Sequence, residues 1–313
     1  MRIVSLLPSA TEIVCALGLG DQLVGISHRC DYPPEIEGTT VVTRAARVAG
    51  GTGAGRGAAA GTGPHAAPLP SPGDELGPST LDPAALAGLG PELVIVRDGG
   101  YGPNSSTVEA ALVVMDTSPQ IVALDPITLE GIFHSITTIG AMTESEDDAI
   151  DLLETLREDI GEIEQGVVAR HDAGLRPKRV AVLEGLSPLL SSGRWVPEQV
   201  RRAGGWEVLG REGEQAAPTT WEAIRDVDPE MLFFAPAGLT LLETQKLWRS
   251  MPRPEFWEDL EAVRRGQVFF LEPVYFSRPG PRVVDGVGML AEIFDPDGFV
   301  GTSPDLSWTP LVE

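Results

Sequence analysis

The sequence predicts an α/β protein built as two Rossmann-like lobes bridged by one long α-helix. Three observations carry this prediction. Across residues 144–170, apolar side chains fall at Ala149, Leu152, Leu153, Leu156, Ile160, Ile163 and Val167, the three-and-four spacing of one helical stripe. Strand-like and helix-like segments alternate on both sides of that run. A helix, a Pro-Glu pair, an apolar strand and a glycine-bearing loop occur in the same succession in each half, around Pro91-Glu92 and again around Pro229-Glu230. The boundaries that follow are a first lobe over 1–142, a bridging helix over 143–173, a second lobe over 174–296 and a tail over 297–313.

At 1.5 Å per residue the bridging helix is roughly 40 Å long, too long for a connector inside one small lobe. Its other face carries Glu146, Asp147, Asp151, Glu154, Glu158, Asp159 and Glu162, which suits a solvated strut. A stiff strut holding two lobes predicts a fixed cleft that closes little on its ligand.

Bulk properties exclude several classes. A net charge of −23 with no basic stripe argues against nucleic acid as a partner. Cys15 and Cys30 make neither a disulfide framework nor a zinc cluster, and Cys15 sits among apolar neighbours as a small buried hydrophobe. No apolar run approaches the roughly 20 residues of a membrane-spanning helix. Met1-Arg2-Ile3-Val4 enters a strand with no leader pattern, so the expected location is the cytoplasm, or outside the membrane if the start codon lies further upstream.

In chain order, the first strand covers 3–7. Ser9 followed by Glu12 reads as a capping box opening a helix to about Leu19. A second strand over 23–27 delivers His28-Arg29-Cys30-Asp31-Tyr32-Pro33-Pro34 onto a loop, because the double proline forbids helix or central strand. His28, Cys30 and Asp31 match no standard zinc spacing, and the loop reads as the rim of an organic pocket. The glycine- and alanine-rich run over 45–78 has too few large side chains to order itself and reads as a mobile loop; its glycines lack the ending of a phosphate-binding loop. A helix starts at Leu81-Asp82-Pro83, and a strand over 91–96 ends in Arg97-Asp98-Gly99-Gly100-Tyr101. Helices over 107–115 and 129–139 then flank a strand over 121–124.

Beyond the strut come a strand over 179–183, a loop over 185–193 and a helix opening at Trp195-Val196-Pro197-Glu198. Thr219-Thr220-Trp221-Glu222 reads as a second capping box, followed by a strand over 231–234, a helix over 241–249 and a strand over 268–271. Tyr275-Phe276-Ser277-Arg278-Pro279-Gly280-Pro281-Arg282 leads into a last helix ending near Phe294.

No nucleophile elbow, H-E-x-x-H helix or Walker loop is present, and His28, His65, His134 and His171 are scattered, which disfavours an enzyme. The strand-end loops that would face the cleft instead carry Tyr32, Tyr101, Trp195, Tyr275, Phe276 and Arg278, a set suited to a flat or bulky ligand. The predicted pocket is these residues with Ser9 and Asp98: Tyr32, Trp195 and Tyr275 for stacking, backbone N–H groups near Ser9 for polar edges, Arg278 for an amide or carboxylate. A cytosolic enzyme or sensor reusing the cleft is the competing reading.

Ser5-Leu6-Leu7-Pro8-Ser9-Ala10-Thr11-Glu12, Asp31-Tyr32-Pro33-Pro34, Pro91-Glu92-Leu93-Val94-Ile95, Trp195-Val196-Pro197-Glu198 and Ser277-Arg278-Pro279-Gly280-Pro281-Arg282 resemble the helical-backbone (class III) solute-binding proteins of ABC importers, and within them the vitamin B12-binding proteins. The resemblance implies cobalamin, haem or an iron chelate held between the lobes by a monomer with no catalytic cofactor, no membrane insertion and an ABC permease as partner. It also implies permease docking through one exposed glutamate per lobe. Glu222 fits the second lobe, whereas the first-lobe position falls near Ala84. The sequence departs from the family where stacking tryptophans precede the double glycine: Arg97 and Asp98 stand there.

Overall fold

The bridging helix forms over Glu146–Asp172 in a computed structural model that describes residues 1–45, 79–97, 103–113 and 118–312. Acids fill its first turn (Glu146, Asp147, Asp148) and Arg170 and His171 its last, the arrangement its macrodipole favours. The stripe predicted from spacing buries Ala149, Leu153, Leu156, Ile160 and Ile163. The helix packs on Leu129–Met142 of the first lobe and on Val283–Phe294 and Val196–Arg202 of the second. The first of these crossings is close because Gly140 lacks a side chain; a Cβ there would lie 2.6 Å from that of Ala149.

The first-lobe sheet runs Thr40–Val41, Leu23–Ile26, Ile3–Ser5, Leu93–Val96, Gln120–Ala123, all parallel. The second runs Gly205–Glu207, Lys178–Leu186, Met231–Phe234, Val268–Leu271, with Trp308–Pro310 antiparallel at its edge. Ile3–Ser5 therefore lies between Leu23–Ile26 and Leu93–Val96, and Lys178–Leu186 likewise between Gly205–Glu207 and Met231–Phe234. Strand residues alternate between two cores, as the period of two requires. Val180, Val182, Met231 and Phe233 join a core shared with the first lobe and the strut, whereas Ala181, Leu183, Leu232 and Phe234 face a separate cluster around Trp248 and Trp257. In the first lobe Leu93 and Ile95 join the shared core, and Val94 and Val96 the outer one. Burial on both faces is why these strands read as unbroken apolar runs.

Several elements differ from expectation. Neither predicted capping box forms. The first helix is Pro8–Ala16, with Leu7 at its N-cap and no side-chain cap. Thr220, one residue later than predicted, caps Trp221–Val227 by accepting from Ala223 N–H. A complete box forms instead at Thr240 and Glu243. The predicted loop over 185–193 contains Leu189–Ser191, which folds back antiparallel on Lys178–Leu186. Within the predicted tail, Trp308–Pro310 forms an edge strand on Val268–Leu271. Cys15 is half-buried, and burial, with Glu35 and Glu12 nearby, pushes its thiol up to about 11. Apart from Ala45, which ends the strand Thr43–Ala45, the loop predicted over 45–78 lies outside the described residues.

Candidate functional site

The carboxyl ends of both sheets meet where the lobes touch, the position at which open α/β sheets take their ligands. A cavity of ≈ 10 Å³ lies there, walled by Leu7, Ser9, Arg97, Leu124, Pro126 and Pro279. That is room for about one water molecule. At this junction the expected fixed gap is replaced by ion pairs running from one lobe to the other.

At one end of the junction, Glu12 is buried on the first-lobe helix and accepts from Arg282 Nε at 2.9 Å and Nη2 at 2.5 Å. Arg278 Nη1 reaches the same carboxylate at 3.3 Å. Arg278 also forms a two-pronged pair with Asp31, Nη1 to Oδ1 at 2.5 Å and Nη2 to Oδ2 at 2.9 Å. Burial alone would raise the Asp31 carboxyl, but the hydrogen bond and charge of Arg278 and the charge of Arg282 outweigh it and hold it below the usual range. Burial likewise works against the Arg282 cation, and Glu12 more than restores it. The Arg282 guanidinium lies 4.2 Å from the ring centre of Tyr32 and 5.8 Å from that of Tyr275, so one aromatic from each lobe flanks one cation. Burial, then the charge of Asp285, raises the Tyr275 phenol.

At the other end, Asp125 Oδ1 accepts from Arg97 Nε at 3.0 Å and from Arg194 Nη1 at 3.4 Å. The arginine side chains are 4 % and 6 % exposed, the aspartate 40 %. Arg194 occupies the left-handed region at φ 54°, anchored by its Nε on Gln215 at 3.1 Å. Burial, then the charge of Arg97, weakens the hold of Arg194 on its proton. Behind Arg194, Glu184 accepts from Gly193 N–H at 2.8 Å, and burial pushes its carboxyl up to about 8.

A third link crosses the lobes away from the cavity. Glu198 Oε2 accepts from Leu129 N–H, at the start of the helix Leu129–Met142, at 2.9 Å. Arg202 holds the other oxygen of Glu198 and reaches Glu164 on the strut at 2.9 Å.

The structure brings Ser9, Tyr32, Tyr275 and Arg278 to the junction. It does not place Trp195 or Phe276 on a cleft wall. Both are 0 % exposed and belong to the shared core: Trp195 caps the helix Val196–Arg202 and Phe276 lies inside the short helix Val274–Ser277, each turned inward. Trp195 Nε1 has no partner among the described residues. Asp98 and Tyr101 lie outside the described residues. Glu222 is exposed on Trp221–Val227, and Ala84 is exposed on Pro83–Leu89. His28, Cys30 and Asp31 face different partners: Thr43 at 2.7 Å, Thr11 at 3.1 Å and Arg278.

Sequence reasoning missed Glu12, Asp125, Arg194 and Arg282. Glu12 left a signal, as the one charged residue in the helix Pro8–Ala16, where a buried charge demands a partner.

Two α/β lobes on a helical strut, meeting at their strand ends, define a solute-binding protein of the ABC-importer type. The family description "Periplasmic binding protein" matches residues 66–275, and the chain belongs to that family, one of substrate-binding proteins rather than enzymes. The chain is 24% identical over 301 residues to the vitamin B12-binding protein of Vibrio cholerae, covering 91% of this chain and 86% of that one. It is 22% identical over 302 residues to the uncharacterized ABC transporter substrate-binding lipoprotein YvrC of Bacillus subtilis, covering 95% and 81%. Among solved structures, a periplasmic heme-binding protein of Pseudomonas aeruginosa superposes with a TM-score of 0.69 at 19% identity, over 99% of this chain and 95% of that one. The periplasmic vitamin B12 binding protein of Vibrio cholerae gives 0.61 at 20%, over 94% and 96%. These two likenesses establish the fold. No helix among the described residues is long and apolar enough to cross a membrane.

Proposed function

We propose that this protein binds cobalamin or a related corrinoid at the lobe junction and hands it to an ABC permease, docking through Glu222. The observation that carries this is the placement of Tyr32 and Tyr275, one from each lobe, within 5.8 Å of the Arg282 guanidinium at the strand ends. Two aromatic faces around one cation suit a broad, flat macrocycle with polar edges. Relatives named as vitamin B12-binding proteins, matching along nine-tenths of the chain, support the corrinoid. Arg278 and Arg282 hold Asp31 and Glu12 across the junction, so they exchange these carboxylates for the solute as a macrocycle enters.

Haem is the second reading, favoured by the same two phenols, since tyrosinate is an axial ligand of ferric haem. Isothermal titration and absorbance spectra with cyanocobalamin and with haemin separate the two. The corrinoid reading expects equimolar saturation by cyanocobalamin. Saturation by haemin alone, with the spectrum of an oxygen-ligated ferric haem, moves the assignment to haem. Silence toward both overturns the proposal.

A further inference from the structure

The Arg97–Asp125–Arg194 end of the junction is built unlike the Glu12 end. Arg282 and Arg278 each meet a carboxylate with two nitrogens on two oxygens, the geometry that satisfies a guanidinium best. Asp125 instead offers the single oxygen Oδ1 to two guanidiniums from opposite lobes, and the bond to Arg194 is long at 3.4 Å. Both arginines are almost wholly buried, whereas Asp125 is 40 % exposed and can swing into solvent. Arg97 also walls the cavity, alongside Ser9 and the two residues that flank Asp125 in the chain, Leu124 and Pro126.

We propose that Arg97 and Arg194 form a subsite for an oxyanion of the solute, a carboxylate or phosphate, and that Asp125 occupies it as an internal stand-in until the solute arrives. This rests on the tetrapyrrole reading above and narrows it to macrocycles with an anionic arm. The phosphodiester of cobalamin and the propionates of haem share that chemistry. An oxyanion with two or more free oxygens engages both guanidiniums at once, which Asp125 does with one. Because the arginines come from different lobes, filling the subsite also draws the lobes together around the ligand. Burial and the neighbouring Arg97 charge disfavour the Arg194 cation, and the charge of an incoming anion offsets them.

Two measurements on the full chain test this. The first needs no tetrapyrrole: melting in inorganic phosphate is compared with sodium chloride at equal ionic strength. Phosphate is expected to raise the melting temperature of Asp125→Asn by about 3 °C more than that of wild type, by mass action on a vacated site. Adding Arg194→Gln is expected to erase the excess. Equal shifts in wild type, single and double variants reduce phosphate to a general solute effect and overturn the subsite. The second covers the case in which Asp125→Asn does not fold, and compares dicyanocobyrinic acid with its heptamethyl ester and haemin with its dimethyl ester. Wild type is expected to prefer the acid at least about tenfold, the loss typical of an unpaired buried charge, and Arg194→Gln to bring the ratio near one. A ratio near one in wild type, or one that Arg194→Gln leaves intact, overturns the subsite. Failure of all four macrocycles to bind refutes the tetrapyrrole reading, and the phosphate comparison then decides the subsite by itself.

Discussion

The two ends of the lobe junction use the same residue types to opposite effect. Around Glu12, two carboxylates face two guanidiniums in paired geometry, and an aromatic ring from each lobe lies by the Arg282 cation. Around Asp125, one shared oxygen lies between two buried guanidiniums. The first arrangement is a satisfied contact, which holds lobes together. The second links the lobes through one shared carboxylate oxygen, the place where the proposed oxyanion enters. A binding cleft needs both, since a junction satisfied throughout would have no reason to open.

The largest way to break the comparison is at Glu12. Glu12→Gln deprives Arg278 and Arg282, both from the second lobe, of the buried first-lobe carboxylate they share, and the expected loss is about 3 kcal/mol in denaturant unfolding. A loss within error would mean that the pairing is incidental. The next effect is pH-dependent and belongs to the other end. Glu184 keeps its proton up to about 8 in the folded protein, whereas the unfolded carboxyl releases it near its ordinary value of 4.5. Between those pH values the folded state binds more protons, so its stability falls as pH rises. Glu184→Gln retains the acceptor for Gly193 without the proton, so its melting temperature should gain on wild type by several degrees from pH 4.5 to 8 and stay parallel above. A constant offset across that range contradicts the assignment. A smaller effect is expected on affinity: Tyr32→Ala should weaken macrocycle binding about tenfold with little change in melting, since the ring is 43% exposed. The smallest lies at Asp31, whose side chain is 65% exposed. Asp31→Asn should cost about 1 kcal/mol or less, and a much larger loss would make this rim pair a true anchor.

The strut, both sheets and most helices were legible because each rests on a periodicity that burial enforces: the three-and-four stripe of Glu146–Asp172 and the apolar runs of Leu93–Val96 and Met231–Phe234. The site was legible in part. Tyr32, Tyr275 and Arg278 stood out because prolines and glycines mark their loops. Trp195 and Phe276 stand beside those residues but turn inward, and local sequence does not say which way a side chain in or next to so short a helix points. Glu12 was misread because the Ser-x-x-Glu pattern has a local explanation, capping, and a distant one, Arg282, 270 residues away. Asp125 and Arg194 gave no signal for the same reason: their meaning exists only when two lobes meet. The shut junction was equally hidden, since a stiff strut fixes how the lobes are joined but not how far apart their edges rest.

Hydrogen–deuterium exchange on the full chain, with and without an equimolar macrocycle that binds it, tests most directly whether the solute sits between the lobes. The account predicts new protection on both walls together, in the segments carrying Asp31 and Tyr32, Arg194, and Tyr275 to Arg282. Protection confined instead to the separate groove of ≈ 230 Å³ between Val167, Leu175 and Phe299 at the far end of the strut, with both walls unchanged, would contradict it.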